Sequence, residues 1–160
     1  MQDRSISCGM HPRRWAMLAG LGQLHWFLGN VYEAMVDMPR LLVDAHPNRE
    51  PRLLGVGSPL RYYLPVAPIT LVATVVTLVD SWRSGDDKRV IATAAVSTAA
   101  AAALTAYLVR TVNVQLLTSG EPLTPTEGSR LVGIWHRGNL VRLLALTVAA
   151  WTLRQVSRQR

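Results

Sequence analysis

Four apolar blocks, separated by polar stretches, run through this chain at about residues 15–38, 62–79, 90–117 and 131–153. Each predicts a helix of about 27 Å or more at 1.5 Å per residue, close to the thickness of a bilayer's hydrocarbon core. The first block is not uniformly apolar. Gln23, Trp26, Asn30, Glu33 and Asp37 recur at alternating steps of three and four, so they share one helical face. Pro39 is expected to stop this helix. Residues 40–61 read as a long loop, with Pro47, Pro51, Gly55, Gly57 and Pro59 breaking any period. The second block carries no charge, and Pro65 and Pro68 fall in its first turns, where a missing N–H costs least. The charged turn DSWRSGDDKR at 80–89 leads to the third block, which is rich in alanine and suits close helix packing. The polar turn TSGEPLTPTEGS precedes the fourth, LVGIWHRGNLVRLLALTVAAWTL, where Trp135, Asn139 and Arg142 stand at i, i+4 and i+7.

Composition turns this pattern into a fold class. Of the 160 residues 49% are hydrophobic and 17% charged, against about 25% charged in ordinary soluble domains. Long apolar blocks in such a chain predict an all-α integral membrane protein: one domain over 1–160, a four-helix up-down-up-down bundle. The first apolar run is too long for a signal-peptide core and no small-residue cleavage site follows it, so it is expected to be a retained helix. The net charge of +7 does not indicate a nucleic-acid partner, because the basic residues flank apolar blocks and form no stripe on a soluble helix. They are topology signals and headgroup contacts instead. Arg4, Arg13, Arg14, Arg83, Lys88, Arg89, Arg154, Arg158 and Arg160 flank one side, against Arg40, Arg49, Arg52, Arg61 and Arg130 on the other. This bias predicts a multi-pass cell-membrane protein with both termini cytoplasmic. Cys8 is the single cysteine, which excludes an internal disulfide.

Charge inside a membrane segment is costly, about 2.5–3.5 kcal/mol per arginine on insertion scales. The polar residues therefore mark a candidate site. Arg142 falls near the middle of its helix, with Asn139, His136 and Trp135 nearer the outer surface. Asn30 and Glu33 on the first helix, and Arg110 and Asn113 on the third, fall in the same half, with Arg61, Tyr62 and Tyr63 at the rim. The inner half reads as nearly free of polar groups. One polar pocket facing the non-cytoplasmic side is the expectation. Against it stand plainer readings: a buried Glu33–Arg142 pair that only fixes helix packing, Trp135 as an interface anchor, and His136 and Arg137 reaching for headgroups. A metal held by His25, His136 and Glu33 is a weaker alternative, since no HExxH and no histidine pair at i, i+4 is present.

The stretches GNVYEAMVDMPR at 29–40, SPLRYYLP at 58–65, VNVQL at 112–116 and WHRGNLVRLL at 135–144, in this order on four apolar helices, resemble the anthrone oxygenase family of small membrane proteins. The resemblance covers about residues 15–153. Its most specific part is Trp135, Asn139 and Arg142; it departs at Gln115, where the family pattern has proline. It implies oxidation of a lipophilic tricyclic anthrone, or a hydroquinone-like relative, by molecular oxygen, with no metal, flavin or haem firmly expected. Such chemistry needs a base to make an electron-rich enolate or phenolate and donors to hold the developing anion. Glu33 or His136 is the expected base, and Arg142, Asn139 and Asn113 are the expected donors. Trp135, Trp26, Tyr32, Asn30 and Tyr62 are the expected substrate contacts. Two other classes stay open: a non-enzymatic small-molecule binder, and a subunit whose polar stripe meets a partner helix. Homo-oligomeric contacts through the alanine-rich helix also stay open.

Overall fold

The computed structural model describes residues 12–45, 54, 58–118 and 123–158; most of these are helical, and no strand occurs among them. The helices are α1 (Pro12–Met35), α2 (Met38–Ala45), α3 (Pro59–Tyr63), α4 (Val66–Ser84), α5 (Lys88–Leu108), α6 (Val114–Thr118) and α7 (Pro125–Arg158). A single π turn, Val109–Asn113, joins α5 to α6. The four long segments close a ring of contacts: α1 packs on α4 and α7, and α5 packs on α7 and α4.

Several boundaries differ from the sequence expectation, each for a local reason. The first helix ends at Met35 rather than at Pro39. Asp37 adopts φ +48°, a left-handed conformation that breaks the helix, and Pro39 then sits in the first turn of α2, where proline is tolerated. The expected loop 40–61 is thus partly helical, through α2 and α3; residues 46–53 and 55–57 lie outside the described residues. Leu64 and Pro65 separate α3 from α4. Helix α4 runs on to Ser84, where Gly85 at φ +83° ends it and the Asp86 N–H returns to the Ser81 carbonyl at 3.2 Å. Asp87 caps α5 by accepting from the Arg89 N–H at 2.8 Å. Helix α7 is 34 residues long and begins six residues before the expected start.

Polar side chains are buried beside the apolar core, and many large apolar side chains lie on the surface. Fully or nearly buried side chains include Gln23, Asn30, Thr70, Thr74, Thr77, Ser81, Thr98, Asn139 and Arg142. Leu21, Leu24 and Leu28 on α1, Val72 and Val75 on α4, Val96 on α5 and Leu140, Leu144 and Trp151 on α7 face outward. Two segments, Val66–Ser84 and Lys88–Thr118, are long and apolar enough to cross a membrane, with only 33% and 22% of their apolar windows buried. A core helix of a soluble protein would be mostly covered.

The half of the bundle away from the candidate site is not free of polar groups, contrary to the sequence expectation. Gln23 is 0% exposed and its Nε2 lies 3.4 Å from Thr74 Oγ1 and 3.5 Å from Thr98 Oγ1. Thr70, Thr74 and Thr77 each donate to the carbonyl one turn earlier, at 2.7–2.9 Å. A threonine that satisfies its own hydroxyl in this way passes as nearly apolar. At the opposite end, Leu42 of α2 packs with Leu108, Val112, Leu116, Leu117, Leu131 and Trp135, so α2 covers that end of α5, α6 and α7.

Candidate functional site

Four members of the three-four stripe face inward as its spacing requires, Gln23, Trp26, Asn30 and Glu33 being buried; Asp37, beyond the end of α1, is half-exposed and leaves the stripe. Behind it lies a hydrogen-bonded layer. Arg142, 5% exposed, directs Nε and Nη2 to the Asn139 carboxamide oxygen at 3.2 and 2.7 Å and Nη1 to Thr105 Oγ1 at 3.4 Å. Asn139 donates to the Asn30 carbonyl at 3.2 Å, and Asn30 donates to the Trp26 carbonyl at 2.6 Å. The Trp135 ring lies 6.0 Å from the Arg142 guanidinium carbon. Glu33 and Arg142 feel each other's charge without closing to a direct ion pair. The buried pair considered from sequence is therefore an electrostatic neighbourhood, with the guanidinium N–H groups committed to Asn139 and Thr105.

In front of the layer is a cavity of about 520 Å³, within the usual range for small-molecule sites. His25, Leu28, Gly29, Tyr32 and Glu33 of α1 line it, with Met38 of α2, Ser58, and Tyr62 and Tyr63 of α3. His25 stacks on Tyr62 with ring centres 4.9 Å apart, and Tyr62 meets Tyr63 edge to face at 5.0 Å. Tyr32 and Tyr62 are 62% and 54% exposed and form the mouth. Glu33 is the one carboxylate among the described lining residues. The Tyr63 hydroxyl interacts with it, yet is buried without a hydrogen bond of regular geometry. His25 Nε2 is likewise buried and unpartnered.

The expected site residues thus separate into three groups. Glu33, Tyr32 and Tyr62 line the cavity. Arg142, Asn139, Asn30, Trp135 and Trp26 are buried behind it and do not line it, so the two tryptophans are core residues rather than walls of the cavity. Asn113 is buried in the π turn, Arg110 beside it faces outward, and neither lines the cavity. His136 also stands apart: its Nε2 meets Asp37 Oδ1 at 2.9 Å at the α1–α2 turn. The weaker metal trio is dispersed, with His25 on Tyr62 and His136 on Asp37. Among the described residues no three His, Cys, Asp or Glu side chains gather for an ion.

The sequence reading placed Tyr63 only at the rim, and Gly29, Met38 and Ser58 not at all. The readable signal was Pro65, which detaches the tyrosine pair from the long helix and lets α3 turn both rings over α1. No family model matches this chain, and neither the curated proteins nor the solved structures contain a match to it.

Proposed function

We propose that this is a membrane-embedded oxygenase whose α1–α3 cavity binds a lipophilic aromatic ring and presents it to Glu33. The observation that carries the reading is a buried carboxylate on the wall of a cavity whose other described lining residues are mostly aromatic and apolar, with Ser58. A flat ring stacks on such walls, and a base in such surroundings is shielded from water. In this reading α1, α4, α5–α6 and α7 are the four spans of an up-down-up-down bundle with both ends of the chain cytoplasmic. The outward-facing leucines and valines meet lipid, apart from Leu28, which lines the cavity. Three of the stretches that resemble anthrone oxygenases supply neighbouring groups: Glu33, Tyr63 and Arg142 interact with one another, which supports the resemblance.

The chemistry closes without an external reductant. Glu33 removes a proton from the ring system's acidic methylene, and the carbanion, an enolate, gives an electron to O2. Recombination forms a C–O bond as a peroxide anion, which takes the proton back from Glu33, and loss of water from this hydroperoxide leaves a ketone, so that CH2 and O2 become C=O and H2O. Arg142, one layer behind, contributes positive potential rather than a direct hydrogen bond.

A second reading, a binding protein without catalysis, is favoured by that same position of Arg142: its donors are engaged away from the cavity. Oxygen uptake by detergent-purified protein with anthrone, beside binding of anthraquinone measured by equilibrium dialysis, separates the two. Anthrone-dependent uptake that is lost in Glu33→Gln while anthraquinone still binds is the expected result. Binding without uptake selects the second reading, and neither binding nor uptake from folded protein overturns both.

A further inference from the structure

Tyr63 carries more than a wall of the cavity requires. Its hydroxyl is buried and makes no regular hydrogen bond, and the residue shares the cavity wall with Glu33. A buried phenol without an acceptor costs about 1–3 kcal/mol, so the neighbouring carboxylate is the acceptor it is placed to use. The seat is specific. A Cβ on Gly29 would collide with the Tyr63 hydroxyl and come within 3.0 Å of two ring carbons, so the ring rests on bare backbone. Tyr62 fixes the other edge of the ring, and His25 lies 6.4 Å away, edge on. Gly29 and Glu33 are one helical turn apart, so the residue that admits the ring and the residue it meets share one face of α1.

We propose that Tyr63 is the positioning residue for Glu33, donating its O–H to the carboxylate and fixing both its orientation and its basicity, with Gly29 as the seat that makes this contact reachable. The inference rests on the reading of Glu33 as the site's base. Tyr63 loses no proton in the step: the carboxylate accepts a proton from the ligand while the phenol holds the carboxylate's other oxygen. The further groups facing Glu33 are Arg142 of α7, with His25 and Tyr32 of α1 and Tyr62 of α3 around the cavity. Asp37 and His136 are paired with each other at the adjoining turn.

The test is the titration of the Glu33 carboxyl followed by infrared spectroscopy on the full-length protein in detergent, its C=O band identified by its loss in Glu33→Gln. A donor to the charged form favours ionisation, so Tyr63→Phe is expected to move the midpoint upward by roughly one pH unit. Gly29→Ala, which lifts the ring, is expected to move it the same way by less. In parallel, the acid limb of anthrone-dependent oxygen uptake should follow the carboxyl midpoint. An unchanged midpoint in folded Tyr63→Phe overturns the proposal, whatever happens to stability. A shifted midpoint in a protein that takes up no oxygen keeps the positioning role and removes the oxygenase reading instead.

Discussion

The carboxylate of Asp37 and the imidazole of His136, 99 residues apart, meet at 2.9 Å and tie the α1–α2 turn to α7. Asp37 has two tasks there. Its left-handed backbone, φ +48°, makes the turn, and its side chain reaches both His136 and, at 3.4 Å, Arg40. Aspartate and asparagine visit this region with less strain than other residues bearing a Cβ. Asp37→Asn should therefore keep the turn and lose only the charge, costing about 0.5 kcal/mol for pairs this exposed. Asp37→Ala should cost about 1 kcal/mol more, because an alanine in that conformation is strained. Thermal unfolding in detergent, with His136→Ala closing a double-mutant cycle, measures both effects. A cycle with no coupling would remove the tie between turn and helix.

Arg142 makes a sharper contrast. Its three donor nitrogens are all engaged, and Asn139 in turn holds the backbone of α1 through the Asn30 carbonyl. Removing the guanidinium leaves the buried Asn139 oxygen and the part-buried Thr105 oxygen without their donors, which costs about 1–3 kcal/mol for each group left unsatisfied. Arg142→Ala is expected to unfold at much lower temperature, and Arg142→Lys to recover only part of the loss, since an ammonium cannot reproduce the planar fork. Glu33→Gln, which lines the cavity, should lose activity at nearly unchanged stability. Equal melting points for Arg142→Ala and Glu33→Gln would mean that the layer and the cavity are not distinct in role.

The inward stripe of α1 was legible because period and chemistry agree: Gln23, Trp26, Asn30 and Glu33 are buried where a 3.6-residue repeat puts them. The grouping of Trp135, Asn139 and Arg142 on one face of α7 was legible for the same reason, and all three are buried. What spacing could not give was depth order within the bundle. Arg142 and Glu33 lie in the same half, yet only Glu33 reaches the cavity, because Asn139 and Thr105 hold the guanidinium back. From sequence the second block reads as an uncharged apolar run that does not single out its threonines, whose hydroxyls bond to their own helix. The break at Asp37 was hidden by Pro39, two residues on, which offered a more familiar stop.

Close approach of α1 to α4 gives a further test. A Cβ on Gly22 would lie within 2.8 Å of two side-chain carbons of Thr70 and nearer still to its hydroxyl oxygen. Both residues sit inside the α1–α4 interface, so neither can yield into open space. Gly22→Ala should cost about 1–3 kcal/mol by overpacking. Adding Thr70→Ala removes the hydroxyl and the methyl but keeps the Cβ at 2.8 Å, so it should restore only part of the loss. Thermal melts of the two single variants and the double variant check this; a Gly22→Ala protein as stable as the parent would contradict the interface described.

The start of α7 allows a prediction in pH. Thr124 and Glu127 form a reciprocal cap: the Thr124 hydroxyl and N–H donate to the Glu127 carboxylate at 2.7 and 3.0 Å, and the Glu127 N–H returns to the Thr124 hydroxyl at 3.3 Å. Pro125 occupies the first helical position, where its fixed φ suits the helix. The pattern T-P-T-E was in the sequence all along, and it explains why the helix starts before its apolar block. The Thr124 hydroxyl, then its backbone N–H, with a smaller contribution from Arg130, hold the Glu127 carboxyl below its ordinary value of 4.5. The sign follows from linkage. A carboxyl depressed in the folded state adds stability that is present above the unfolded value and disappears as pH falls through the lower native value. Amides of the first turn of α7 should therefore be protected from hydrogen exchange at neutral pH and lose that protection as pH falls below the ordinary carboxyl value of 4.5, with intrinsic rates divided out. Glu127→Gln should start from lower protection and show no such step. A step of equal size in Glu127→Gln would assign the acid sensitivity to another group.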